Sequence, residues 1–154
     1  MITLKIPVPT YLYKYLISLY GEEYVPSMYD ELGVVVLATL EKSFSISKDF
    51  KSNNWKGKSM DNNFVIHLNY SQFKNNGFHI YPEKIHYLQV FIDNQFRYSM
   101  YRTAILNNEK FKISYKDTIT QILAGYGITE EEFSYESIRK DFNRKADEIR
   151  KNLH

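Results

Sequence analysis

An α+β chain, mostly α, follows from this sequence: about five helices around one long central helix, with a small antiparallel β element. The longest run of helical periodicity extends from Pro82 to Asn107, PEKIHYLQVFIDNQFRYSMYRTAILN. Ile85, Leu88, Ile92, Phe96 and Ser99 recur there at three- and four-residue spacing, with Phe91, Tyr98, Tyr101 and Ile105 beside them. So broad an apolar surface belongs to a helix buried on most of its circumference. Strict alternation in Ile2, Leu4 and Ile6, and again in Phe64, Ile66, Leu68 and Tyr70, marks strands. Ser or Thr followed three residues later by an acid (Ser27 and Asp30, Ser114 and Asp117, Thr129 and Glu132) marks helix starts.

Taken in order, the first strand stops at Pro7, which has no N–H for a ladder. Thr10 is placed to cap a helix over 11–20, with Leu12, Leu16 and Leu19 on one face and Gly21 just past its end. The Ser27 box opens a second helix over 28–42, striped by Leu32, Val35, Val36, Thr39 and Leu40. Val34 to Val36 also suit a strand, and the continuation to Leu40 favours helix. Periodicity lapses over 43–63. The strand from Phe64 to Tyr70 follows, then SQFKNNG with turn chemistry at Asn76-Gly77, then a second short strand at Phe78 and Ile80, together a β-hairpin. The central helix spans 82–106, roughly 25 residues or about 38 Å, with Pro82 in its first turn and Asn107-Asn108 at its end. Helices over 115–124 and 135–152 complete the chain, the last striped by Ile138, Phe142, Ala146, Ile149 and Leu153 and capped by Ser134.

Length and composition bound the rest. At 154 residues a single domain, 1–154, is expected, with a β-α-α piece (1–42), a polar basic and aromatic linker (43–63) and the hairpin plus helices (64–154). An apolar fraction of 44% with 16% aromatics describes a globular core and not a disordered chain. A formal charge of +2 restricts any nucleic-acid surface to a local patch. No cysteine is present, so disulfides, thiolate metal sites and cysteine nucleophiles are excluded together. The longest apolar run, Leu32 to Leu40, is about half of the ~20 residues that span a bilayer, and the opening MITLKIPVPT has no continuous apolar h-region. No membrane or signal segment is expected. Lysine outnumbers arginine, and Asn, Tyr and Ile abound, as AT-rich codons produce; this suits a low-GC bacterium or a virus.

Catalytic chemistry finds little support in the motifs. Glu83 and His86 form one Glu-x-x-His pair, but a carboxylate-bridged di-metal site needs a second copy and further carboxylates. His67 and His79 sit at outward strand positions and His154 is the last residue. Nucleophile elbows, phosphate loops and dinucleotide fingerprints are all missing. A non-enzymatic protein without metal or cofactor is expected.

Three segments suit nucleic acid. The opening strand, proline, helix, turn and second helix of 1–42 resemble the ribbon-helix-helix regulators, in which two chains pair their strands and the ribbon enters the major groove. That resemblance implies Ile2, Leu4 and Ile6 inward and Thr3 and Lys5 facing the bases. The other reading of the same segment is a core β-α-α piece whose strand pairs with Phe64–Tyr70. The stretch QILAGYGITEEEFSYESIRKDFNRKADEIR resembles a helix-turn-helix, whose second helix here bears Arg139, Lys140, Arg144 and Lys145. Against it, Glu130, Glu131 and Glu132 crowd the turn, and a mixed-charge face is also what a solvated helix presents. In the linker, Lys48, Lys51, Lys56 and Lys58 stand against one acid, Asp49, and alternate with Phe44, Phe50 and Trp55, a pattern that suits phosphate contacts with base stacking. The same Trp55 would serve equally in a loop folded back on the core.

The closing YGITEEEFSYESIRKDFNRKADEIRK and the opening IPVPTYLYKYL are also similar to small uncharacterised proteins of phages and mobile elements of Bacteroidetes. The resemblance implies a setting in replication, regulation or assembly, in the host cytoplasm or in a virion. The function expected is a DNA-binding accessory or regulatory protein of a phage or mobile element. Its partners would be DNA and a second copy of the chain. The alternative is a virion structural or adaptor protein whose partners are other phage structural proteins. If Lys51, Lys56 and Lys58 hold phosphates, changing all three to alanine will weaken binding to every sequence alike and cut the salt slope by up to about three units. An unchanged slope in a fluorescence titration removes the linker from the interface.

Overall fold

A computed structural model describes residues 1–42 and 60–154. The described chain is mostly helical, with six helices and a two-stranded antiparallel sheet. It divides into two compact units, Met1–Ile92 and Asp93–His154.

In the first unit β1 (Ile2–Val8) pairs antiparallel with β2 (Asn62–Leu68), from Ile2 opposite Leu68 to Val8 opposite Asn62. Alternation fixes the faces: Ile6, Val8, Phe64, Ile66 and Leu68 are buried, whereas Thr3, Lys5 and Asn63 are exposed. Pro7 lies inside β1 instead of ending it. The strand tolerates it because, among the described residues, β1 is an edge, and the Pro7 carbonyl accepts from Gln89 Nε2 at 2.6 Å. Tyr24 bridges the other side of β2 at Ile66.

Helix α1 (Thr10–Tyr20) buries Tyr11, Leu12, Tyr15 and Leu16. Its cap is Pro9, not Thr10, whose hydroxyl accepts from Asn62 Nδ2 instead. Helix α2 (Glu31–Thr39) starts three residues later than the Ser27 box suggests. The cause is Asp30, which caps the helix and gathers the turn before it. Its Oδ1 accepts from Gly33 N–H at 2.6 Å and from the Tyr24 hydroxyl at 2.7 Å, and its Oδ2 from Ser27 N–H. The helix also ends earlier, because Leu40 turns extended and Glu41 bridges to His79.

The expected hairpin does not form. Asn69 and Gln72 make a complete capping box that opens α3 (Tyr70–Asn76), so the segment assigned to the strand end and turn is helical. The second strand at Phe78 to Ile80 reduces to the single bridge between Glu41 and His79. Gly77, at φ 106°, lies against the Glu41 backbone where a Cβ would overlap it. The partner of β2 is therefore β1, about sixty residues earlier in the chain, from Val8 opposite Asn62 to Ile2 opposite Leu68.

Helix α4 (Pro82–Phe111) runs past Asn107-Asn108. The two asparagines bond the next segment instead, Asn107 to the Thr118 hydroxyl and Asn108 to the Ile113 carbonyl. Lys112, left-handed at φ 58°, ends the helix by donating its N–H to Asn108. In the second unit α5 (Tyr115–Gly125) and α6 (Tyr135–Leu153) start at the expected caps, Ser114 and Ser134. Thr129 and Glu132 exchange both bonds of a box, though only a turn follows. Phe96, Tyr101, Ile105, Ile119, Phe133, Ile138 and Phe142 form the core of this unit. Phe96 meets Phe133 at 6.2 Å, and Tyr101 meets Phe142 edge-on at 5.4 Å. Ser99, placed on the apolar face by its spacing, is exposed.

Gly33 sits where an added Cβ would overlap the Ser27 backbone. Alanine is the better helix former by about 1 kcal/mol, but the overlap forces the Asp30 turn to move. Gly33→Ala is expected to destabilise the chain by about 1–3 kcal/mol in urea denaturation. A stabilised variant would mean that the turn is not held against α2.

Candidate nucleic-acid interface

Of the residues singled out for nucleic acid, Lys48, Lys51, Trp55, Lys56 and Lys58 lie outside the described residues. Thr3 and Lys5 are exposed side by side on the outer face of the sheet, opposite His67 and Val65. His67 donates its N–H to Tyr24 at 2.8 Å. The Thr3–His67 and Lys5–Val65 pairs are therefore the non-bonded ones of the ladder, and the Thr3 and Lys5 backbone faces away from β2. Among the described residues no strand lies along that edge. A two-chain ribbon would have to form there.

Arg139, Lys140 and Arg144 stand on the exposed side of α6. Ser134 caps this helix by accepting from Ser137 N–H, and Glu130 accepts from Tyr135 N–H. Ile138, Phe142, Ala146 and Ile149 turn inward and aim the polar face out. Among the described residues, Lys140 and Arg144, one turn apart, line a shallow groove of about 570 Å³ with Ser137 and Asn143. None of these four is acidic. Arg139 is engaged locally: Nε and Nη2 meet the Glu136 carboxylate at 3.1 and 2.7 Å. That bond holds the Glu136 carboxyl below its usual value and raises the Arg139 guanidinium. The connection from α5 to α6 covers residues 126–134, longer than the three to four residues usual between paired DNA-binding helices, because Ile128 and Phe133 both dip into the core.

Beneath this face lies a buried ionic cluster that periodicity did not disclose. Asp93, Arg97 and Asp141 expose 2, 5 and 4% of their surface. Arg97 Nε meets Asp93 at 2.8 Å and its Nη1 meets Asp141 Oδ2 at 3.1 Å. The Tyr101 hydroxyl donates to the same oxygen at 2.7 Å, and Lys145 Nζ approaches it at 3.1 Å. Arg144 Nη2 takes the other oxygen, Oδ1, at 3.2 Å. The Phe133 ring lies 4.8 Å from the Arg97 guanidinium. A signal was present: Asp141 falls between Ile138 and Phe142 inside the apolar stripe, where a lone acid needs a partner.

A second surface lies in the first unit. Met28 and Tyr29, 67 and 101% exposed, border a groove of about 620 Å³ with Pro26, Leu37, Gln72 and Asn75. Glu83 and His86 occupy the first turns of α4. Among the described residues no three potential metal ligands gather, and no helix is long and apolar enough to cross a membrane.

Burial alone would raise the Asp141 carboxyl. The Tyr101 and Lys145 bonds and the Arg97 charge outweigh it and bring the group from 3.8 down to about 2. A depressed carboxyl stabilises the fold above its unfolded value, and the gain disappears as pH falls from about 4 through about 2. The wild type is expected to lose on the order of 1–3 kcal/mol over that window by this group, measured by urea denaturation at stepped pH. In Asp141→Asn that part of the dependence should vanish, and an unaltered acid profile would exclude Asp141 as its source. Compared with family models, curated proteins and solved structures, the chain matches none of them.

Proposed function

We propose that this chain is a non-enzymatic nucleic-acid-binding accessory or regulatory protein, in the phage or mobile-element setting that its two ends resemble. One observation carries the reading: among the described residues, the groove on α6 is lined by Lys140, Arg144, Ser137 and Asn143, two cations and two hydrogen-bonding groups. Such a surface suits phosphate oxygens, which dominate the affinity of nucleic-acid binders. Charge distribution supports it. Helix α6 carries six cations (Arg139, Lys140, Arg144, Lys145, Arg150, Lys151) against four acids (Glu136, Asp141, Asp147, Glu148), and one of those acids is buried. Its excess of two positive charges equals the formal charge of the whole chain.

A second reading, an adaptor or structural protein of a virus particle, is favoured by the groove beside Met28 and Tyr29, where large apolar side chains stay in water. Salt separates the two. A labelled DNA duplex titrated at increasing salt should show steeply falling affinity, and Lys140→Ala with Arg144→Ala should reduce the slope by about two units for every sequence alike. Loss of sequence preference in Lys5→Ala, with a dimer in sedimentation, would move the interface to β1. Absence of salt-sensitive binding would put the adaptor reading first.

A further inference from the structure

We infer that Asp141 is a positioning residue for the nucleic-acid face: from within the core it holds Arg144 and Lys145 in place on the surface of α6. The inference rests on the nucleic-acid reading of that helix. Arg144 exposes 75% of its side chain, yet its Nη2 is tied at 3.2 Å to a carboxylate that is itself 6% exposed. Lys145, four residues on from Asp141, is tied at 3.1 Å to the other oxygen. The anchor is rigid, because Tyr101 and Arg97 hold that second oxygen from α4.

An exposed arginine free in water samples many rotamers and gives up that freedom when it binds. A guanidinium already fixed by a buried partner has less to lose. Asp141 does not cancel the face either. With Asp93 it supplies two negative charges to a cluster in which Arg97, Arg144 and Lys145 supply three positive ones. Among the described residues the carboxylate therefore orders the cations and leaves the count of charges positive.

The sign of one substitution separates positioning from plain electrostatics. Asp141→Asn removes a negative charge beside a basic face, so by Coulomb attraction alone it must tighten duplex binding. If Asp141 positions Arg144, affinity for a labelled duplex falls instead, by about two- to tenfold, the range that immobilising one long side chain costs. Binding that is unchanged or tighter, in a variant with wild-type circular dichroism, overturns the inference and leaves the nucleic-acid reading intact. A wild-type chain that binds no duplex overturns both. The free wild-type protein supplies a measurement independent of that variant's folding: the side-chain Nε order parameter of Arg144 is expected in the rigid range, and a value below about 0.6 overturns the inference.

Discussion

Arg97 reaches Asp93 one turn back on α4 and Asp141 across on α6, and this buried contact settles how α4 and α6 meet in the second unit. Each ion taken out of water costs several kcal/mol, which is recovered only where every charge finds good partners. Asp141 finds four: a hydroxyl, a lysine and two arginines. Sliding α6 by one turn would carry that carboxylate away from Arg97 and Tyr101 on α4. An apolar stripe by itself tolerates such a slip, since one turn later it presents similar side chains. The ion pair removes the ambiguity, and the Phe96–Phe133 and Tyr101–Phe142 contacts then close around it.

The first unit relies on a different device. Its sheet joins residues 2–8 to residues 62–68, so α1, α2 and the chain between them are enclosed in one long loop. Loop length raises the entropic cost only slowly, and the apolar face of Ile6, Val8, Phe64, Ile66 and Leu68 offsets it. Asp30 does for the α1–α2 connection what Asp141 does for α6. A carboxylate accepts from two backbone N–H groups and from Tyr24, whose hydroxyl is raised by burial and by that bond. In both units one short acid sets the geometry of apolar elements that could otherwise pack in several ways.

These two acids also bear on function. A chain close to neutral presents a basic surface only where its charges are sorted, and α6 sorts them by depth: Asp141 faces the core while Lys140 and Arg144 face water. The exposed acids remain on the helix and limit how strongly a polyanion is attracted. The groove at Met28 and Tyr29 lies in the other compact unit, where it exposes apolar surface instead of charge. The basic groove proposed for nucleic acid and the apolar groove of the adaptor reading thus belong to separate elements of the fold.

Local signals were legible for three of the helices. Periodicity placed α1, α5 and α6 within a residue or two, because an amphipathic stripe and a Ser cap act over a single turn. The mostly α class followed from the same signals. What the sequence left open were choices between partners. Pairing of the opening strand with Phe64–Tyr70 was one reading of the sequence and is the one that forms, while the hairpin at Phe78 is lost because Asn69 and Gln72 close their own box. Arg139, Lys140 and Arg144 were legible as exposed cations; that Glu136 engages Arg139 and, at 3.9 Å, Lys140, and that Asp141 holds Arg144, was not. Nor did spacing reveal that Gln89, Asp93 and Arg97 repeat every fourth residue on the buried side of α4. A polar row at helical period reads as a solvated face, and only tertiary structure supplies the Pro7 carbonyl and the Asp141 carboxylate that allow those groups to leave water.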